Sequence, residues 1–177
     1  IRLWSATDVE IIPTIEEENH PFIAKLGPDI LDDSCTPSVI FERLKSKKFR
    51  NRNAASLMLD QSFIAGLGNY LRSEILHQSG IHPSTKPRNL SDDKLQRWAE
   101  KTKSLSELSY ETGGFTVPEG VAMAGKERGE PRRSHRHSAF CRNELPCHYC
   151  GTEVVRIRVA NRRLDFCPEC QKISNSN

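Results

Sequence analysis

With 177 residues, 36% of them apolar, and a mean hydropathy of −0.59, the chain has room for one ordinary domain plus a small stapled module. No apolar run approaches the roughly eighteen residues that a membrane-spanning helix needs, which excludes a membrane span of that kind. Residues 1–36 hold two basic side chains, Arg2 and Lys25, against eight acidic ones, whereas the remainder holds twenty-four against fifteen; positive charge concentrated in this way suits a polyanion, nucleic acid first.

In chain order, residues 1–12 read as an interior strand, with Leu3, Val9, Ile11 and Ile12 as an apolar edge around Asp8 and Glu10. The start has neither an initiator methionine nor a signal-peptide pattern, so the chain is expected to be a fragment. Residues 13–36 are acidic and broken by Pro13, Pro21 and Pro28, which is the composition of a linker. Thr36-Pro37 pairs an N-cap hydroxyl with proline at the first helical position, and the helix it starts has Val39, Ile40, Phe41 and Leu44 on its apolar face. A second helix is predicted over residues 53–65, with Leu57, Leu59, Phe63 and Ile64 inward. Gly66-Leu67-Gly68 ends it, and a third helix begins at Asn69 as N-cap, burying Leu71, Ile75 and Leu76. A fourth, over residues 91–111, carries Leu95, Trp98, Leu105 and Leu108. Residues 112–140 are rich in glycine, proline and charge, have no periodicity, and are expected to form a mobile loop.

Near the C-terminus stand Cys147-x2-Cys150 and Cys167-x2-Cys170, with sixteen residues between the pairs. Each pair closes a knuckle around one side of a tetrahedral ion, so together they predict a four-cysteine structural zinc site with no position open to water. Two disulfides or idle thiols are the competing reading, disfavoured by so regular a spacing. Between the pairs, Val155, Ile157 and Val159 alternate with Arg156 and Arg158. A turn follows at Asn161, and Leu164 and Phe166 return, giving a hairpin whose outer face and tip (Arg156, Arg158, Arg162, Arg163) are basic. Too small to order itself, the ribbon is expected to take its shape from metal binding, worth roughly 10–16 kcal/mol in small zinc peptides. Cys35 and Cys141 show no disulfide pattern, and reduced thiols point to a cytosolic compartment.

The turn between the second and third helices admits two readings. Gly66 and Gly68 turn the chain while Asn69 caps its helix, or the free amides of the helix start and the Asn69 carboxamide hold a DNA phosphate. On the turn alone the capping reading is the stronger.

SATDVEI, HPFIAKLGPDIL, FRNRNAASLMLDQSFIAGLGNYLRSEIL and the ribbon ending NRRLDFCPECQ together resemble the formamidopyrimidine-DNA glycosylase/endonuclease VIII family, over nearly the whole chain and most weakly in 112–140. The resemblance implies a mainly α fold with a small β zinc ribbon. Residues 1–12 would be the last strand of an N-terminal β-sandwich domain, 13–36 an interdomain linker, 37–140 a helix–two-turn–helix DNA-binding domain, and 141–177 the zinc finger. It further implies a bifunctional DNA N-glycosylase/AP lyase of base-excision repair. Its partner would be double-stranded DNA with an oxidised base, pyrimidines first, or an abasic site. The family's N-terminal proline nucleophile, its neighbouring glutamate and its assisting lysine have no counterpart here, so the chain alone is expected to be inactive. Pro118-Glu119 mimics that start without a free amine.

By position, Asn69 matches the family's phosphate-binding asparagine, with Gly68 beside it. Arg162 matches the arginine at the hairpin tip that contacts lesion phosphates and assists the last elimination, a catalytic role. Lys25 falls where relatives place an arginine next to DNA. Cys147, Cys150, Cys167 and Cys170 match the ligands of one zinc ion. The approach HRHSAFCRN is less aromatic than the family's. A bacterial, cytoplasmic, nucleoid-associated monomer is the expectation. A non-catalytic zinc-ribbon nucleic-acid module, or the same family acting on oxidised purines, remain alternatives.

Overall fold

Side-chain caps decide where the helices begin. In the computed structural model, which describes residues 9–173, Thr36 Oγ1 accepts from the Val39 amide and Pro37 opens α1 (Pro37–Lys45). Asn53 caps α2 (Ala54–Leu57) through the Ser56 amide, and Ser91 caps α4 (Asp92–Glu111) through the Lys94 amide. Between them α3 (Asn69–Ser79) ends on Gly80, whose φ of 68° supplies a left-handed C-cap.

Two predicted elements need correction. The second helix is only four residues long. After it, Asp60 Oδ1 accepts from the Ser62 amide, and the Gln61 carboxamide accepts from Gly66 N while donating to the Leu59 and Leu67 carbonyls. Local side-chain partners thereby replace the helical ladder with two turns, closed at Gly66 with φ 88°. Residues 112–140 are not a bare loop: they hold α5 (Glu119–Glu127) and α6 (Arg132–His135), with Val117 and Ala122 buried. Of the strand read over 1–12, residues 1–8 lie outside the described residues, and 9–12 form no strand.

Ile40 and Leu44 of α1, Leu57 of α2, Phe63, Ile64, Ile75 and Leu76 around α3, and Leu95 and Trp98 of α4 form one core. The ribbon is part of it. Strands β1 (Val155–Val159) and β2 (Arg162–Phe166) pair antiparallel with Ile157 opposite Leu164, and Leu164 and Phe166 enter the helical core. The strands reverse at Ala160-Asn161, both with positive φ (51° and 59°), the twist that suits a two-residue hairpin. At the other end of the chain, Pro28 O accepts from Ala65 N, Ala65 O accepts from Ile30 N, and the buried Lys103 ammonium donates to the Ile30 and Asp32 carbonyls. These bonds lay the acidic segment beside the two turns. Among the described residues no helix is long and apolar enough to cross a membrane.

Candidate nucleic-acid interface and metal centre

Helix α3 is the hub of the site, and its sequence explains why. Leu71, Ile75 and Leu76 face the core, but Arg72, Ser73, Glu74 and His77 are buried as well, so each polar group must find a partner. Asn69, Ser73 and His77 recur every four residues and so share one side of the helix. All three meet the ribbon: Asn69 Nδ2 donates to Arg163 O (3.0 Å), Ser73 Oγ accepts from Asp165 N (3.4 Å), and His77 Nε2 lies 3.4 Å from Cys147 Sγ.

At the N-terminal end of this stripe, Arg72 is fully buried and fans its guanidinium over carbonyl groups. It donates to Asn69 Oδ1 (2.7 Å), Arg163 O (2.9 Å) and Ala55 O (3.2 Å), with Arg162 O further off at 3.5 Å. Among the described residues no carboxylate pairs with it. Burial, and then the like charge of Arg162, lower its pKa to about 10. Asn69 is therefore the first helical residue and not the N-cap, which is Gly68. Its carboxamide clamps the hairpin tip to the helix. Gly68 has an extended backbone (φ −110°, ψ −178°), and a Cβ built on it would meet nothing within 4 Å. Neither backbone nor neighbour requires glycine there, and the space beside the start of α3, where the free amides lie, is open.

The hairpin tip presents Arg162, exposed and with no partner for its guanidinium among the described residues. Its neighbours are committed elsewhere. Arg156 makes a two-point ion pair with buried Asp165 (2.6 and 3.0 Å), so it does not belong to the free basic face. Arg163 lies over the Phe140 ring at 4.6 Å and donates to Cys141 Sγ. Lys25, exposed at the end of a 3-10 turn (Ile23–Lys25), stands two residues before Gly27, whose amide donates to Gln61 O in the two turns. The fold thus brings Asn69 and Gly68 to the hairpin tip through the Arg163 carbonyl, next to Arg162, and sets Lys25 at the flank of the same turn.

The sulfurs of Cys147, Cys150, Cys167 and Cys170 lie within 4.8 Å of one another, with Cys150–Cys167 at 3.4 Å and Cys147–Cys170 at 3.8 Å. A tetrahedron with zinc–sulfur bonds of about 2.3 Å has sulfur–sulfur edges of about 3.8 Å, so the four fit one structural zinc ion. Burial and the adjacent sulfurs push the Cys170 thiol well up. Burial would raise Cys147 too, but the His77 ring nitrogen and the Tyr149 and Cys150 amides bring it down to about 5. Four sulfurs this close ionise together only around a cation.

Glu74 was missed by hydrophobic patterning and organises the segment before the ribbon. Its buried carboxylate accepts from Thr116 Oγ1 and from the amides of Ser138, Ala139 and Phe140, all at 2.5–2.8 Å. The signal was available: Arg72 and Glu74 are charged residues in a short helix, set among the apolar or small Leu71, Ser73, Ile75 and Leu76. Pro118 is the N-cap of α5, with no terminal amine to offer.

The formamidopyrimidine-DNA glycosylase H2TH domain matches residues 26–119, and the zinc finger found in FPG and IleRS matches residues 144–173. The chain is 41% identical to an Endonuclease 8 of Escherichia coli over 171 residues and 39% identical to that of Shigella sonnei. In both cases the match covers 97% of this chain but only 62% of the relative. Among solved structures, the MutM (FPG) protein of Thermus thermophilus superposes with a TM-score of 0.70 at 29% identity, over 88% of this chain and 57% of that one. A Lactococcus lactis formamidopyrimidine-DNA glycosylase non-covalently bound to DNA containing an AP site gives 0.70 at 23%, over 91% and 55%, a likeness of fold.

Proposed function

The chain belongs to the formamidopyrimidine-DNA glycosylase/endonuclease VIII family, and from that premise we propose that it is the DNA-gripping part of a bifunctional DNA N-glycosylase/AP lyase that removes oxidised bases, pyrimidines first. The observation that carries this reading is the joint between the start of α3 and the hairpin tip. Asn69 and Arg72 hold the Arg163 carbonyl, with an exposed arginine, Arg162, next in sequence and open space at Gly68 before the helix start.

In this reading a phosphate next to the lesion docks on the α3 amides and the Asn69 carboxamide. Arg162 reaches the backbone on the other side of the kink, where it assists the last elimination, and Lys25 adds a further phosphate contact. Turning the damaged base out of the stack costs a few kcal/mol, which these contacts offset. The zinc ion, when bound, supplies rigidity to the hairpin; four thiolates fill its coordination sphere. The chain spans less than two thirds of the length of its curated relatives, and we take the attacking amine to lie in the part it does not cover. The chain by itself therefore binds DNA and does not cut it. We take its place of action to be the bacterial cytoplasm, on the nucleoid, with the protein a monomer; the lack of a disulfide pattern at Cys35 and Cys141 supports the compartment.

The zinc-loaded chain should bind a duplex with an abasic-site analogue more tightly than an intact one. Borohydride added with abasic duplex should trap no covalent adduct. A fusion restoring the N-terminal part of an Endonuclease 8 relative should trap one. An adduct on the chain alone would put the nucleophile here, and equal, salt-insensitive affinity for both duplexes would remove the interface.

A further inference from the structure

His77 has no role in gripping DNA, yet it is a buried imidazole, 3% exposed, in a position where an apolar residue would suffice. Its Nε2 lies 3.4 Å from Cys147 Sγ, and its ring packs 5.5 Å from that of Tyr149, one residue before Cys150. Nδ1 is also buried and has no hydrogen-bond partner among the described residues. A metal-bound thiolate has no proton to give, so the only arrangement that satisfies the contact puts the imidazole proton on Nε2, donated to sulfur. We infer that His77 is a positioning residue of the metal centre: an N–H donor from α3 onto the Cys147 sulfur.

Two independent features support that assignment. First, His77 is the third member of the Asn69–Ser73–His77 stripe, so the helix that fixes the hairpin tip also reaches the knuckle, 23 residues before Cys170 in sequence and directly beside it in space. Second, the other donors onto the sulfurs are backbone amides of the knuckles themselves, such as Cys170 N onto Cys167 Sγ at 3.4 Å. Gln171 Nε2 donates to Ile81 O and its Oε1 accepts from Cys167 N, both backbone groups, whereas His77 is the one side chain of α3 within hydrogen-bond distance of a ligand sulfur among the described residues. A donor on a thiolate draws off part of the negative charge that four sulfurs concentrate on the site, and it fixes the direction of the lone pair that the metal uses. The expected consequence is slow metal loss.

The test uses the whole metal-loaded chain. In cadmium-113-loaded protein, the His77 Hε2 proton should be observable, slow to exchange, and scalar-coupled to the metal through the N–H···S bond. His77→Phe keeps a buried ring but removes the donor, and should release zinc to excess chelator about ten- to a hundredfold faster. His77→Gln restores an N–H and should recover most of that loss. A resolved Hε2 signal without coupling to cadmium overturns the inference. So does a His77→Phe protein that holds zinc like the parent. Equally fast release from both variants assigns the effect to packing and overturns it too. If His77→Phe fails to fold, the coupling in the unsubstituted protein decides alone.

Discussion

The two ends of α3 are tied to the same ribbon by different chemistry. At the N-terminal end the ties are hydrogen bonds to carbonyl groups, from a neutral carboxamide and a buried guanidinium that has no carboxylate partner among the described residues. At the C-terminal end they are a metal centre, with His77 on Cys147 and Gln171 bridging Ile81 to Cys167. The first end is under-neutralised and open, and so receptive to an anion. The second is satisfied internally once a cation sits among four sulfurs. A surface that binds phosphate needs the first kind of joint, and a hairpin of ten strand residues needs the second to stay in place.

Breaking the metal end should have the largest effect. Cys150→Ser, or exhaustive chelation, should abolish stoichiometric zinc and the slow-exchanging amides of β1 and β2, with loss of about 10 kcal/mol or more of metal-linked stability. Retention of one zinc per chain in Cys150→Ser would refute its assignment as a ligand. The ribbon also shares the helical core, so Leu164→Ala should lower unfolding stability by about 2–5 kcal/mol through the cavity it leaves. An effect below about 1 kcal/mol would mean that the ribbon rests on metal alone.

At the open end, stability and binding should separate. Arg72→Met removes a buried charge that has no counter-ion among the described residues, so thermal stability should change by about 1 kcal/mol or less. Affinity for abasic-site duplex should nevertheless drop about tenfold as the hairpin tip loosens. Gly68→Ala should be quieter still in stability, within about 0.5 kcal/mol, since the added methyl meets nothing within 4 Å. It should still weaken DNA binding, because the methyl projects into the open space beside the start of α3, where the phosphate is proposed to dock. Loss of stability with unchanged affinity in either variant would reverse the roles given to these residues.

Most of this hub was legible in the sequence, and the omissions share a cause. Cysteine spacing, Thr36-Pro37, Ser91 and the Val-Arg alternation are local codes, and each produced the element it predicts at the predicted place. The second helix stopped early because Asp60 and Gln61 bond to nearby backbone, a competition that apolar periodicity does not register. Residues 112–140 looked unstructured because their anchor, Glu74, lies over forty residues away in sequence. Asn69 and Arg162 were each assigned through resemblance. That they meet through the Arg163 carbonyl is a tertiary fact, as is the choice of His77 to face Cys147.

A pH titration gives the smallest expected effect. Burial holds the His137 imidazole, packed between Tyr70 and Phe140, below its ordinary value. A histidine whose folded pKa is depressed contributes fully above its unfolded pKa, about 6.5, and loses that contribution as the pH falls through that value. Stability should therefore slope downward below about pH 6.5, and His137→Phe should flatten the slope. At more acidic pH, Glu130 adds a second loss. Burial raises its pKa, but bonds from Arg142 and Arg128 outweigh that and hold it below the usual value. Its contribution is present above about pH 4.3 and disappears as the pH drops through the folded value.

The central claim is that the metal-held end of α3 keeps the phosphate-binding end assembled. It is tested most directly by measuring the affinity of the chain for an abasic-analogue duplex with and without zinc, for the parent and for Asn69→Ala. With zinc, Asn69→Ala should bind about ten- to a hundredfold more weakly, as expected for one hydrogen bond to a charged phosphate. Without zinc, parent and variant should be equally weak, because the hairpin tip that Asn69 grips is no longer there to complete the site. A zinc-free chain that binds as tightly as the loaded one, with the Asn69→Ala penalty intact, would show that the two ends act independently and would contradict the account.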